Sequence, residues 1–130
     1  MKVAICDDEK TWANEINSLL NEYSQKRRID VFSFYFDNGT SLIESGNTYD
    51  IVFMDYQMEG LNGIETARKI NLLNPDGITI FVSAYTNVAL DAFEVKAYRF
   101  IAKPINKEKL FKAIDDYRAE MDSDNFLVFK

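Results

Sequence analysis

Apolar residues along this chain fall into short runs that alternate with stretches of helical spacing. Val3 to Cys6 is apolar and bounded by charge, the pattern of a buried strand. Asp8 to Thr11 then offer side-chain acceptors for a helix start. Trp12, Ile16, Leu19, Leu20 and Tyr23 follow on one helical face, and Lys26-Arg27-Arg28 place cations at its negative end. Val31 to Phe36 is β-branched and aromatic, a second strand, closed by the turn residues Asp37-Asn38-Gly39. Thr40 to Glu44 predicts a short helix. Ile51 to Met54 is the most apolar run and predicts a central strand ending at Asp55.

The second half repeats the pattern. Ile64, Ala67, Ile70 and Leu72 or Leu73 share a helical face, which Asn74-Pro75-Asp76-Gly77 stops. Ile78 to Val82 is a fourth strand. Val88, Ala89, Ala92 and Phe93 suggest a short fourth helix. Tyr98 to Ala102 is a weaker fifth strand. Leu110, Ala113, Ile114 and Tyr117 mark a fifth helix expected to finish near Met121. Five strand–helix units with short connections predict an α/β domain: a parallel sheet with helices on both faces. It should span residues 1–121. Residues 122–130 read as a linker, or as the start of a further domain: a polar break, Asp122-Ser123-Asp124-Asn125, followed by apolar Phe126 to Phe129.

Composition narrows the chemistry. The chain has 130 residues, enough for one domain with a real core. It contains no histidine, which removes Ser-His-Asp and Cys-His nucleophiles and His-ligated zinc. Its single cysteine, Cys6, cannot form an internal disulfide and should be inert on a buried strand. A net charge of −6 makes these residues a poor nucleic-acid binder. No apolar run approaches the roughly 18 residues of a membrane span. A soluble cytoplasmic domain without membrane contact is expected.

In open parallel sheets, chemistry gathers beyond the carboxyl ends of the strands. There the chain places Asp7, Asp8 and Glu9 after strand one, and Asp55, Tyr56 and Gln57 after strand three. Ser83 follows strand four, and Lys103-Pro104 follow strand five. Asp37 belongs to strand two and should lie to one side. Each acid alone could be a helix cap. Three carboxylates converging on one rim repel unless a cation neutralises them. Mg²⁺ fits such hard oxygen ligands. With the Lys103 ammonium and the Ser83 hydroxyl, the set suits a phosphoryl group, and an aspartate can accept one as an acyl phosphate. Trp12 reads as a core or helix-face residue.

This ordered set resembles the receiver domain of two-component response regulators, over residues 1 to about 120. Asp7-Asp8 match the acidic pair, Asp55 the phosphoacceptor, Ser83 the hydroxyl after strand four, Phe100 the aromatic switch position and Lys103-Pro104 the Lys-Pro pair, which the family usually holds cis. The resemblance implies a flavodoxin-like (βα)₅ three-layer sandwich with strand order 2-1-3-4-5. It implies Mg²⁺ on Asp8, Asp55 and the Gln57 backbone carbonyl, with Asp7 acting through water, and no other cofactor. Asp55 would take the phosphoryl group from a sensor histidine kinase or a small phosphodonor, and Lys103 would pair with it. Ser83 and Phe100 would then move, altering the face formed by helix four, strand five and helix five, a surface for an effector or a homodimer. Such a domain is a phosphoacceptor with weak self-phosphorylating and self-dephosphorylating activity rather than an enzyme.

The loop Met58-Glu59-Gly60-Leu61-Asn62-Gly63 departs from the family's Met-Pro-Gly-Met-Asp-Gly, although Asn62 can still cap a helix. Gln57 and Tyr85 occupy positions that influence acyl-phosphate lifetime in the family. Ala97 to Pro104 and Asn125 to Lys130 are similar to LytTR-linked regulators, so DNA binding would belong to a LytTR domain beyond Lys130. Two other functions compete. One is a degenerate receiver that only binds partners, against which the intact acidic set argues. The other is a Mg²⁺-dependent phosphohydrolase with an Asp nucleophile, which needs a general acid where Gln57 stands.

Overall fold

The computed structural model describes residues 1–58, 60–84 and 96–128, with side chains described through 122. Nine elements follow in order: β1 (Lys2–Cys6), α1 (Lys10–Arg27), β2 (Phe32–Phe36), α2 (Gly39–Glu44), β3 (Ile51–Met54), α3 (Gly63–Leu73), β4 (Ile78–Ser83), β5 (Arg99–Ala102) and α4 (Lys107–Val128). Glu59, Tyr85 and the helix expected at Val88 to Phe93 lie outside the described residues, so α4 is the helix expected as the fifth. The sheet is parallel throughout in the order β2-β1-β3-β4-β5. This is the flavodoxin-like three-layer arrangement that the resemblance implied.

Strand alternation divides the core in two. Val3, Ile5, Ile51, Phe53, Ile80, Val82 and Ile101 face α1 and α4, meeting Ile16, Leu20, Leu110 and Ile114. Ala4, Cys6, Val52, Met54 and Phe81 face the opposite layer, meeting Leu42, Ile64, Ala67 and Ile70. With β1 and β3 buried on both faces, their runs read as continuously apolar.

Four local expectations are corrected. The N-cap position of α1 falls within Asp8 to Thr11, at Glu9, but no side chain there makes the cap hydrogen bond. The Asp7 carboxylate instead accepts the Glu9 backbone N–H at 2.8 Å. The buried face of α1 is Ala13, Ile16, Leu20 and Tyr23, which turns Trp12 half outward. Leu72 and Leu73 are both exposed, at 85% and 60%, because α3 ends at Asn74, whose side chain turns inward to donate to the Tyr49 carbonyl at 2.7 Å. Finally, α4 runs to Val128 rather than ending near Met121. Residues 122–125 contain neither Gly nor Pro, so they weaken a helix without breaking it.

Candidate functional site

Backbone pairing brings each predicted side chain to the same rim. Asp55 N–H donates to the Cys6 carbonyl at 2.9 Å, and Asp7 N–H to the Phe36 carbonyl at 3.1 Å. Lys103 N–H donates to the Ser83 carbonyl at 2.9 Å. Each residue therefore sits one step beyond the last paired position of its strand, where the sheet stops and side chains converge. The Lys103–Pro104 peptide bond is cis.

One oxygen from each of Asp7, Asp8 and Asp55 lies within 4.8 Å of the others. Asp7 and Asp55 are buried and Asp8 is exposed. The Lys103 ammonium bridges the buried pair, 3.1 Å from Asp7 Oδ2 and 3.4 Å from Asp55 Oδ1. One ammonium cannot balance three carboxylates. Burial, followed by repulsion from Asp7, raises the Asp55 carboxyl to about 6 in spite of Lys103. Asp7 is also raised by burial, offset by the Glu9 N–H and by Lys103. Two buried, undercompensated carboxylates and an exposed third form a hard-oxygen cluster that fits a divalent cation such as Mg²⁺.

The loop after β3 is built around close packing. A Cβ at Gly63 would run into the Asp55 carbonyl and the Tyr56 backbone, so only glycine lets α3 start this close to the acceptor strand. Gly63 N–H donates to the Tyr56 carbonyl at 2.7 Å. Asn62 caps α3 in a reciprocal capping box with Glu65, as its identity predicted. Gln57 is exposed beside this turn.

Ser83 is fully buried at the end of β4. Phe100 is half-buried and packs against the α2–α3 side core. In register it stands opposite Phe81, two positions before Ser83. Cys6 is buried, and its thiol lies 3.7 Å from the Met58 sulfur. Burial and then the neighbouring Asp7 and Asp55 push its pKa up to about 12, so it stays protonated and unreactive.

Asp37 is exposed and stands outside the three-carboxylate cluster, to one side as expected; with Asp8, Asn38, Thr40 and Gly60 it lines a cavity of about 560 Å³. Two contacts were not legible in the sequence. Tyr35 donates its hydroxyl to the Asp7 carbonyl at 2.9 Å. The Lys103 ammonium lies over the Trp12 ring, 4.9 Å from its centroid. Tyr35 and Trp12 carry no local signal for these roles, because the contacts join elements distant in the chain.

The geometry agrees with what this chain is similar to. Residues 3–115 match the response regulator receiver domain model. The LytR sensory transduction protein of Staphylococcus haemolyticus is 33% identical over 125 residues, 96% of this chain and 48% of that protein. The LytR transcriptional regulatory protein of Staphylococcus aureus is 33% identical over the same length, 50% of it. The chain thus spans about half the length of these curated relatives. The response regulatory domain of mrkE from Klebsiella pneumoniae superposes with a TM-score of 0.82 at 26% identity, covering 95% of this chain and 99% of that domain. Five parallel strands in this order, an acidic rim bridged by lysine and a family match over most of the length lead to one conclusion: the chain belongs to the response regulator receiver domain family, within the similarity range of LytR-type regulators.

Proposed function

We propose that this domain is a phosphoacceptor switch of two-component signalling, taking a phosphoryl group on Asp55 from a sensor histidine kinase or a small phosphodonor. The observation that carries this reading is the bridging of Asp7 and Asp55 by Lys103 within a three-carboxylate cluster. Asp8, Asp55 and the Gln57 carbonyl would hold Mg²⁺, with Asp7 acting through water. The ion would neutralise charge on the acids and on a transferring phosphoryl group. The Asp55 carboxylate is the nucleophile, and Lys103 is placed to take a phosphoryl oxygen. Ser83 and Phe100 lie on adjacent strands, where a hydroxyl drawn toward the phosphoryl group leaves room for the aromatic ring. The switched surface is then the helix expected at Val88 to Phe93, with β5 and α4. It serves a homodimer or an attached effector.

The likeness to LytR proteins, together with a chain spanning half their length, supports a cytoplasmic transcription regulator whose DNA-binding domain lies outside residues 1–130. Among the described residues no helix is long and apolar enough to cross a membrane. A role as a phosphohydrolase is disfavoured because Gln57 cannot serve as a general acid.

Incubation with Mg²⁺ and acetyl phosphate should give one acid-stable, base-labile adduct, absent in Asp55→Ala and without metal. No adduct on the wild-type protein would overturn the acceptor role. Repeated turnover of a phosphomonoester would favour the hydrolase.

A further inference from the structure

The Lys103 ammonium meets two acids on the rim and, beside them, an aromatic ring. The ammonium is 3.1 Å from Asp7, 3.4 Å from Asp55 and 4.9 Å from the centroid of the Trp12 ring. The lysine side chain is only 5% exposed, so this contact is largely withdrawn from water. A desolvated cation over an indole face is held by the ring quadrupole, and tryptophan is the strongest aromatic partner for it. Trp12 is also the sole tryptophan of the chain. It lies in the first turn of α1, outside the buried face of Ala13, Ile16, Leu20 and Tyr23, and is itself half-buried. Its indole is therefore not spent on filling the core. It sits on the rim beside the cation that bridges the buried acids.

We infer that Trp12 is a positioning residue for phosphoryl transfer: its ring holds the Lys103 ammonium at the rim while that ammonium exchanges a carboxylate partner for a phosphoryl oxygen. The inference rests on the acceptor reading of Asp55. In the step it serves, an Asp55 carboxylate oxygen forms a new bond to the phosphorus of acetyl phosphate. The bond from phosphorus to the acetate oxygen breaks, and its electron pair leaves with acetate. Lys103 must follow the moving charge without swinging into solvent. The ring face supplies a neutral, directionally tolerant support, whereas a third carboxylate would compete with the phosphoryl group.

Trp12→Phe and Trp12→Leu test this, with folding checked by circular dichroism. Phosphorylation by acetyl phosphate with Mg²⁺ is followed by the aspartyl-phosphate adduct, and the ε-methylene resonances of Lys103 are followed by NMR. In the wild type those resonances should be shifted upfield by the ring current. Trp12→Leu should release that shift and phosphorylate roughly tenfold more slowly, the size of one lost cation–aromatic contact. Trp12→Phe should keep most of the shift and stay within about threefold of the wild-type rate. A wild-type rate in Trp12→Leu, or a slow rate with the Lys103 resonances unmoved, would overturn the positioning role while leaving the acceptor reading intact. An absence of adduct on the wild-type protein would overturn the acceptor reading and this inference with it. Equal loss in the Phe and Leu variants would also overturn it, since that pattern follows from packing rather than from the ring.

Discussion

Replacing Asp55 with Asn removes a charge that the fold holds at a cost. The carboxyl is raised from its ordinary 3.8 to about 6 by burial and by Asp7, with Lys103 already counted against the rise. Below pH 3.8 the group is protonated in both folded and unfolded chains and contributes nothing. Between 3.8 and about 6 the folded chain binds more protons than the unfolded one, so stability falls as pH rises. Above about 6 the whole penalty is present, on the order of 3 kcal/mol. Asn is nearly isosteric and has no proton to lose. Metal-free Asp55→Asn should therefore match the wild type near pH 4 and exceed it by roughly 2–3 kcal/mol at pH 8. For a domain of this size that is a midpoint rise of roughly 5–10 °C. Urea denaturation followed by circular dichroism, in chelator at several pH values, measures the difference directly. A difference that does not change with pH, or a wild type that is the more stable at pH 8, would refute the account of a strained acidic cluster. Saturating Mg²⁺ provides a second arm. It should raise the wild type by roughly 2.7 kcal/mol at a hundredfold excess over its dissociation constant, and raise Asp55→Asn by less.

Two further outcomes follow from packing around the same rim. Gly63→Ala should lose more than about 2 kcal/mol in urea denaturation, because the new methyl meets the Asp55 carbonyl and the Tyr56 backbone, neither of which can move freely. Cys6 should fail to react with a thiol reagent in the native domain at pH 8 and should titrate fully in denaturant, since burial keeps it protonated; rapid native labelling would contradict its placement.

The acidic residues were legible because each ends an apolar run. Val3 to Cys6 stops at Asp7, and Ile51 to Met54 stops at Asp55, so strand ends could be located from hydropathy alone. The cap of α3 was legible because Asn62 acts on a backbone N–H three residues away. The cap of α1 was not. Asp8 and Thr11 have capping chemistry, but α1 starts at Lys10, so the cap position falls on Glu9, whose side chain makes no cap hydrogen bond. Leu72 and Leu73 have the right spacing for a core face and are exposed, because the buried Asn74 carboxamide ends the helix by reaching across to Tyr49.

Local order along the chain therefore determined the alternation of strands and helices, the two faces of each central strand and the identity of the acids and the lysine. Those properties depend on neighbours within a few positions, through backbone periodicity and the cost of burying polar groups. The tertiary structure decided which of those groups meet. It joined Asp7, Asp8 and Asp55 into one cluster and laid the Lys103 ammonium between two carboxylates and the Trp12 ring. Such contacts depend on the distance between elements remote in the chain, and a through-space interaction leaves no periodic trace in the sequence that makes it.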